Sequence, residues 1–307
     1  MVTSPGTQTA LVVAHPGHEV RVHGWLEMVH PEVFILTDGS GATGQSRLSA
    51  TTTLLAECGA RRGRIYGRLT DLETYRAILN RNFDVFEQLV CELAHAFASH
   101  GVECVTGDAS EGYNSVHDLC RILIDVAVSM SSRASGRQIA NFDFPVVGRP
   151  EACAEDLLPD AICLRLEPDA FARKLQAAAK YYPELLDEVA STLNGDERGV
   201  YRKYLDHIGK TDPSIQAMTL DSFRTEFLRP VRSGSKSKEF SAGKPFYEIH
   251  GERQVAAGRY SEVIRYGEHM KPLAEALWNY AEIKQISRPD SVFRSMSQSS
   301  VSRNHKC

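Results

Sequence analysis

Short apolar runs alternate with amphipathic segments along the first half of the chain. Apolar runs at residues 9–16, 32–39, 101–110 and 160–166 are typical of buried strands, and 61–69 is a candidate short strand. Apolar residues recur at helical spacing over residues 19–30, 47–59, 72–100 and 117–132. The alternation predicts an α/β fold with a mostly parallel sheet flanked by helices.

The second half of the chain has a different pattern. Residues 171–285 are mainly helical in pattern, and we interpret them as additions to a core sheet that spans about residues 8–170, within one domain covering 1–285. Residues 232–239 are polar and rich in Gly, Ser and Lys, which is typical of a linker or loop. Residues 286–307 are Ser-rich and basic, and they are predicted to be a disordered tail.

Composition narrows the classes of protein to which the chain can belong. The chain has 307 residues, of which 42% are hydrophobic and 24% charged, as in a soluble globular protein. A formal net charge of −4 gives no electrostatic reason to expect nucleic acid or an anionic membrane as partner. No apolar run approaches the roughly 20 residues of a membrane span. The first ten residues lack a secretory signal pattern, so the cytoplasm is the expected location. The sequence indicates no oligomeric state.

The seven cysteines do not form a metal motif. Their number is odd and no two are spaced as CxxC. Most lie in apolar or helical contexts, which predicts buried free thiols and no cysteine zinc site.

Histidines occur in two loops that follow predicted strands. His15 and His18 lie in HPGHE, and His117 ends EGYNSVH. In parallel α/β sheets, ligands bind beyond the carboxyl ends of strands, so the two loops can meet at one edge. Two imidazoles at HxxH spacing can reach one ion, and a third ligand would complete a catalytic zinc site. The alternative is that these histidines are ordinary surface or helix-terminal residues. Other histidines fit less well or stay open: His23, His30, His95, His100, His207, His250, His269 and His305.

A glycine pattern after the second strand resembles a dinucleotide fingerprint. Gly39, Gly41 and Gly44 have GxGxxG spacing. The pattern follows the second strand and not the first, and Glu57, at the distance of the expected acidic residue, lies inside a predicted helix. We therefore predict a flexible rim of a site in preference to a nucleotide cradle.

Together these segments resemble the LmbE-like (PIG-L) family of zinc-dependent N-acetylglucosaminyl deacetylases. The resemblance covers most of the chain and rests chiefly on AHPGHE, in place of the family's AHPDDE, and on GYNSVH. It implies a Rossmann-like sheet, one Zn²⁺ per chain at its carboxyl edge, and hydrolysis of an acetamide on a sugar. His15 and His117 match histidine ligands, and His18 stands at an aspartate ligand position. Supporting matches are residues 37–39, Arg47, residues 69–71, Lys174 and residues 245–274.

The chain departs from the family at four positions. Gly17 replaces the general-base aspartate, His18 an aspartate ligand, Asn114 a histidine and Val116 an aspartate. A zinc held by three histidines keeps its +2 charge, and a water on such a zinc can have a pKa of about 7.

Several side chains could replace the missing base. Glu19 is the first candidate, although its family position suits a partner of a ligand, and Asp108 is the second. The amide of Asn114 could stabilise an oxyanion. Arg47 and Asp71 are predicted to bind substrate.

The leading hypothesis is a hydrolase that deacylates an amino sugar, sugar nucleotide or glycoconjugate through a zinc-bound water. One alternative is a non-catalytic descendant of the fold that binds a glycan or sugar nucleotide. Another is a different metal reaction on the same scaffold, and a third is a dinucleotide oxidoreductase.

Overall fold

A seven-stranded sheet lies at the centre of the protein. The computed structural model describes residues 6–41, 43–195, 199–208, 218–232 and 243–284. The order of the strands across the sheet is β3-β2-β1-β4-β5-β7-β6. The strands are β1 (Thr9–Val13), β2 (Glu32–Thr37), β3 (Arg61–Leu69), β4 (Cys104–Asp108), β5 (Ala140–Phe144), β6 (Ile162–Arg165) and β7 (Thr225–Pro230).

The first five strands are parallel. β1 pairs with β2 and β4, and the pairs β2–β3 and β4–β5 extend the sheet on either side. β7 is antiparallel to both β5 and β6. The order 3-2-1-4-5 is that of a Rossmann-like sheet. The predicted α/β class with a mostly parallel sheet is confirmed.

Helices cover both faces of the sheet and build the C-terminal part. They are α1 (His23–Val29), α2 (Leu48–Glu57), α3 (Asp71–Leu79), α4 (Phe83–Ser99), α5 (Ser115–Ser135), α6 (Pro168–Tyr181), α7 (Pro183–Leu193), α8 (Val200–Ile208), α9 (Phe246–Ala256) and α10 (Lys271–Ile283). Shorter helical turns span His18–Val22, Glu155–Asp160, Leu220–Arg224 and Tyr266–Met270.

The alternation of side chains along each strand divides the core in two. In β1, Ala10 and Val12 face a cluster that includes Phe86, Leu93 and Leu277 from α4 and α10. Leu11 and Val13 face the other cluster, which is built with side chains of α1, α2 and α6. Because successive strand residues point to opposite faces, a strand buried on both sides reads as a continuous apolar run.

Three features differ from the sequence prediction. The helix expected over 72–100 is two helices, α3 and α4, separated at Asn80–Asn82, where Arg81 has a left-handed φ of 54°. The segment expected as one helix over 19–30 begins with a tight turn, His18–Val22, before α1. β5 and β7 were not predicted, and β7 extends the sheet past residue 170, the expected end of the core sheet.

A buried ion pair ties β7 to the first helix. Glu226 accepts hydrogen bonds from the backbone N–H groups of Gly24 and Trp25, both at 2.8 Å. Lys174 in α6 donates to Glu226 Oε1 at 2.9 Å and to the carbonyl of Arg21 at 2.7 Å. Glu226 thus satisfies N–H groups at the start of α1 that have no partner inside the helix.

The cysteines agree only partly with expectation. Cys58, Cys104 and Cys120 are buried free thiols, Cys91 and Cys153 are half-buried, and Cys163 is exposed on β6 at the end of the sheet. Cys307, residues 233–239 of the predicted linker and the predicted tail lie outside the described residues.

Within the described ranges, no helix combines the length and apolar composition of a membrane span.

Candidate metal centre

The histidine loops meet beyond the carboxyl ends of β1 and β4, where the order of the strands in the sheet reverses. From β1 the chain continues to β2 and β3 on one side, and β4 and β5 lie on the other side. His15 and His18 follow β1, and His117 lies in the first turn of α5 after β4. The crevice beyond two neighbouring strands of this kind is where open α/β sheets bind ligands. The structure therefore brings together all three predicted metal ligands.

The three imidazole rings form a compact group. Ring centroids are 5.2 Å apart for His15 and His18, 5.2 Å for His15 and His117, and 4.5 Å for His18 and His117. If three imidazoles bind one tetrahedral zinc with Zn–N distances of about 2.0–2.1 Å, their centroids lie roughly 5 Å apart. The spacing of the rings thus suits a shared ion.

Carboxylates orient two of the three rings. Nδ1 of His15 is 3.0 Å from Asp71 Oδ1 and 2.8 Å from Thr37 Oγ1. Nδ1 of His18 is 2.7 Å from Asp108 Oδ2. Because a carboxylate only accepts, Nδ1 of each ring carries the proton and Nε2 keeps its lone pair. This carboxylate–histidine arrangement is typical of histidines that bind metals.

Two ring nitrogens of the group are buried without a partner. They are Nε2 of His15 and Nδ1 of His117. Buried polar atoms in native proteins are nearly always paired, so these nitrogens indicate a missing ligand. Among the described residues, no set of three or more His, Cys, Asp or Glu side chains already has the geometry of a metal site. The donor set and its unpaired nitrogens fit zinc, but the donor atoms do not converge as in a preformed coordination sphere.

The electrostatics of the group favour neutral imidazoles at His18 and His117. Burial, followed by the charge of His15, holds the pKa of His18 well below its usual value. Burial, followed by the charges of His18 and His15, does the same for His117. Burial alone would raise the pKa of Asp71, but hydrogen bonds from His15, Thr37 and Gly41 lower it. Neutral histidine is the form that binds metals.

Glu19, the first predicted base, is fully buried and has both oxygens engaged. Oε2 accepts from the backbone N–H of Gly17 at 2.7 Å, and Oε1 accepts from the hydroxyl of Tyr182 at 2.5 Å. Burial raises the pKa of Glu19, and the hydrogen bond from Tyr182 opposes that rise. The carboxylate therefore fixes the turn between His15 and His18.

Gly17 is required by its backbone and by its neighbours. Its φ is +110°, and a Cβ at this position would lie 2.8 Å from Leu185 Cδ1. Tyr182 also lies within 3.6 Å of that point. The space that an aspartate would need here is filled by apolar atoms near the start of α7.

Asp108 keeps one oxygen without a partner. Oδ2 accepts from the backbone N–H of Ala14 at 2.8 Å and contacts His18, whereas Oδ1 is buried and unpaired. Burial raises the pKa of Asp108 to about 6, although the nearby charge of His117 opposes the rise. Of the three predicted catalytic residues, Asp108 alone has such an oxygen.

Asn114 caps helix α5. Its Oδ1 accepts from the backbone N–H of Val116 at 2.8 Å, and its Nδ2 donates to the hydroxyl of Tyr75 at 3.0 Å. The cap explains why an Asn is suitable at this position. One of the two N–H groups of its amide is bonded to Tyr75.

Arg47 and Asp71 both contact the glycine loop. Arg47 Nε donates to the carbonyl of Gly39 at 2.9 Å, and Asp71 Oδ2 accepts from the N–H of Gly41 at 2.6 Å. A carboxylate thus occupies an N–H group that a nucleotide phosphate would use. Asp71 belongs to the environment of His15, in addition to its predicted role in substrate binding.

Sequence reasoning missed two tyrosines beside the site. Tyr75 contacts Asn114, and Tyr182 contacts Glu19. Thr37, which contacts His15, lies among the matched residues 37–39 at the end of a predicted strand.

Comparison with known proteins gives matches only among solved structures. No protein-family model matches the chain, and no curated protein matches it. A40926 pseudoaglycone deacetylase Dbv21 is 19% identical with a TM-score of 0.43, over 75% of this chain and 99% of its own. The zinc-inhibited form of teicoplanin deacetylase Orf2 is 14% identical with a TM-score of 0.43, over 74% and 100%. A deacetylase–teicoplanin complex is 12% identical with a TM-score of 0.38, over 73% and 98%.

Proposed function

We propose that the protein is a zinc-dependent amide hydrolase of the LmbE-like type that removes an acyl group from an amino sugar or glycoconjugate. One observation carries the proposal: three buried histidines meet at the switch point of a Rossmann-like sheet, two of them oriented by carboxylates. A structural role for this group would leave two buried ring nitrogens unpaired, which is costly.

His15, His18 and His117 would hold one zinc per chain. When bound, zinc supplies a Lewis acid that activates water and polarises an amide carbonyl. Asp71 and Asp108 keep the protons of His15 and His18 on Nδ1, so that both Nε2 atoms can bind the metal.

Asp108 is the proposed proton acceptor. Its Oδ1 has no partner, whereas both oxygens of Glu19 accept hydrogen bonds that fix the histidine turn. A carboxylate with a raised pKa can accept a proton from water and pass it to a leaving amine. Asn114 would cap the start of α5 through Oδ1, and its amide is the proposed oxyanion donor, because Nδ2 has two N–H groups and the bond to Tyr75 uses one.

Arg47 is the proposed substrate contact. Its guanidinium donates a hydrogen bond through Nε to the carbonyl of Gly39. Its charge lies close enough to His18 to lower the pKa of that ring. A cation beside the metal suits the hydroxyls or anionic groups of a sugar nucleotide or glycoconjugate. Residues 1–285 would form the single domain that carries this activity.

Metal content and amine release test the proposal together. Purified protein should contain about one zinc per chain, as an expected stoichiometry for three histidine ligands. It should release primary amine from at least one member of a panel of N-acetylglucosamine, its nucleotide and lipid conjugates, and teicoplanin, which one similar structure contains. Metal-free protein that remains folded and releases amine would overturn the metal hypothesis.

The second candidate is a metal-binding descendant that binds a glycan without hydrolysing it. The identity of Gly17 favours it, because glycine carries no base where the family has its aspartate, and Leu185 Cδ1 lies 2.8 Å from the position of a Cβ there. Protein that holds zinc and binds N-acylated sugars in calorimetry, but releases no amine across the panel, would select this candidate.

A further inference from the structure

A tyrosine at the junction of α6 and α7 contacts the histidine turn from outside. Tyr182 is 1% exposed, and its hydroxyl donates to Glu19 Oε1 at 2.5 Å. The same hydroxyl is 2.5 Å from Thr51 Oγ1 in α2. It therefore accepts from Thr51 while it donates to Glu19, because a carboxylate only accepts. The three side chains form a buried chain from α2 to the turn.

Glu19 connects Tyr182 to the backbone between His15 and His18. Its Oε2 accepts from the N–H of Gly17, one residue before His18 and two after His15. The turn has a φ of +110° at Gly17, which glycine adopts without steric cost. Because glycine can also adopt many other conformations, the bond from its N–H to Glu19 restricts the turn to this one.

We propose that Tyr182 is a positioning residue that sets the separation of His15 and His18, acting through Glu19 on the N–H of Gly17. The inference rests on the proposed function, because the quantity that the separation sets is the affinity for zinc. Tyr182 itself touches neither a metal ligand nor a substrate by any hydrogen bond in the described structure. Its contribution is to restrict the turn to one geometry before the metal binds.

The hydroxyl, and not the ring, carries this role. Tyr182→Phe keeps the packing of the ring against the second core cluster. It removes the Tyr182 donor from Glu19 Oε1, which leaves Thr51 as the neighbouring hydroxyl and loosens the hold of the carboxylate on Gly17. Loss of an outer partner of a metal ligand typically weakens metal binding by about 10–100-fold. Because Tyr182 acts one contact further out, we expect about tenfold.

The adjacent residue is a matched control. Tyr181 also donates its hydroxyl to a glutamate, Glu57 Oε1, at 2.6 Å. That pair is exposed and lies away from the histidines. Tyr181→Phe therefore removes the same chemical group from the neighbouring position without touching the turn.

The experiment measures zinc affinity by competition with a chromophoric chelator in wild type, Tyr182→Phe, Tyr181→Phe, Glu19→Gln and the double variant Tyr182→Phe/Glu19→Gln. We expect about tenfold weaker binding for Tyr182→Phe and wild-type affinity for Tyr181→Phe. The double variant should bind no more weakly than Glu19→Gln alone, because Tyr182 acts through Glu19. Cobalt-substituted Tyr182→Phe should show a shifted visible spectrum, whereas Tyr181→Phe should not.

The outcomes separate this inference from the proposed function. Wild-type protein that binds no zinc would overturn both. Wild-type binding with equal affinities for the two Phe variants, or additive losses in the double variant, would overturn the role of Tyr182 alone. If Tyr182→Phe does not fold, Thr51→Val and Thr51→Ser test the same chain of hydroxyl groups, because Thr51 bonds the Tyr182 hydroxyl and also contacts Glu19. A several-fold loss of affinity in Thr51→Val that Thr51→Ser does not show would support the inference, and any other result would overturn it.

Discussion

The loop after β1 and the loop after β4 deliver histidines to the same point by different means. His15 and His18 each have a carboxylate on Nδ1, so their rings are oriented by Asp71 and Asp108. His117 has no such partner, and its Nδ1 is buried and unpaired. Its position instead comes from the start of α5, which Asn114 caps.

This difference shows which of the three rings are held in place by contacts within the protein. The two rings of the first loop are oriented by carboxylates of the protein, whereas Nδ1 of His117 has no hydrogen-bond partner among the described residues. In both loops a buried carboxylate accepts hydrogen bonds from backbone N–H groups. Glu19 accepts from Gly17, and Asp118 accepts from Glu111 and Gly112. The backbones are thus equally fixed, and the asymmetry lies in the rings.

His117→Ala should have the largest effect, because it removes one of the three proposed zinc ligands and leaves only two. We expect loss of bound zinc in elemental analysis, while circular dichroism shows a folded protein. His23→Ala is the matched control, since His23 is also a buried histidine with an unpaired Nδ1 but lies in α1. Equal loss of zinc in both variants would show that the ligand assignment is wrong.

Asp108→Asn should affect both chemistry and metal binding, because Asp108 is the proposed proton acceptor and also the carboxylate partner of His18. The amide cannot accept a proton, so we expect kcat for amine release, measured at saturating zinc, to fall by about 10²–10⁴-fold. Zinc affinity should fall as well, by about 10–100-fold. Asp118→Asn is the control, because its carboxyl is also buried but bonds the backbone of residues 111 and 112. A similar fall in both variants would remove the distinction between Asp108 and a structural carboxylate.

Asp71→Asn should weaken zinc binding by about 10–100-fold, because the ring of His15 loses its carboxylate partner. Equilibrium dialysis against a competing chelator measures the change. Asp38→Asn provides the comparison, since the side chain of Asp38 accepts from the N–H of Ser40 in the same loop. If the affinity of Asp71→Asn equals that of Asp38→Asn, the two loops do not differ in the way proposed.

Gly17→Ala should have the smallest effect, on stability. The positive φ and the 2.8 Å approach to Leu185 should together reduce the free energy of unfolding by about 1–3 kcal/mol. Gly44→Ala isolates the backbone contribution, because Gly44 has a φ of +68° and no atom within 4 Å of its Cβ position. In urea unfolding, a second change, Leu185→Ala, should reduce the penalty of Gly17→Ala, and an undiminished penalty would argue against the contact.

Local patterns explain how much of the fold could be predicted. β1, β2 and β4 are buried on both faces, and their apolar runs are unmistakable. β7 reads TEFLRP, and its charged Glu226 conceals a buried strand, because that charge is satisfied only by distant residues. The break between α3 and α4 depends on one left-handed residue, Arg81, that a helical pattern does not reveal.

The site shows the same limit. The sequence predicts that His15, His18 and His117 lie at one edge, since each follows a strand. It does not reveal the partners of the rings, because Asp71 is 56 positions from His15 and Asp108 is 90 positions from His18. Nor can it show that Leu185 fills the space beside Gly17.

The bond between Glu226 and the start of α1 has a consequence for biosynthesis. The two partners are 202 positions apart. The ribosome must therefore synthesise about two-thirds of the chain after Gly24 before Glu226 can accept from the N–H groups at the start of α1. Until then Gly24 and Trp25 lack their acceptor, and Lys174 lacks its counter-ion. The segment that begins with His18 is therefore among the first to be synthesised and among the last to be completed.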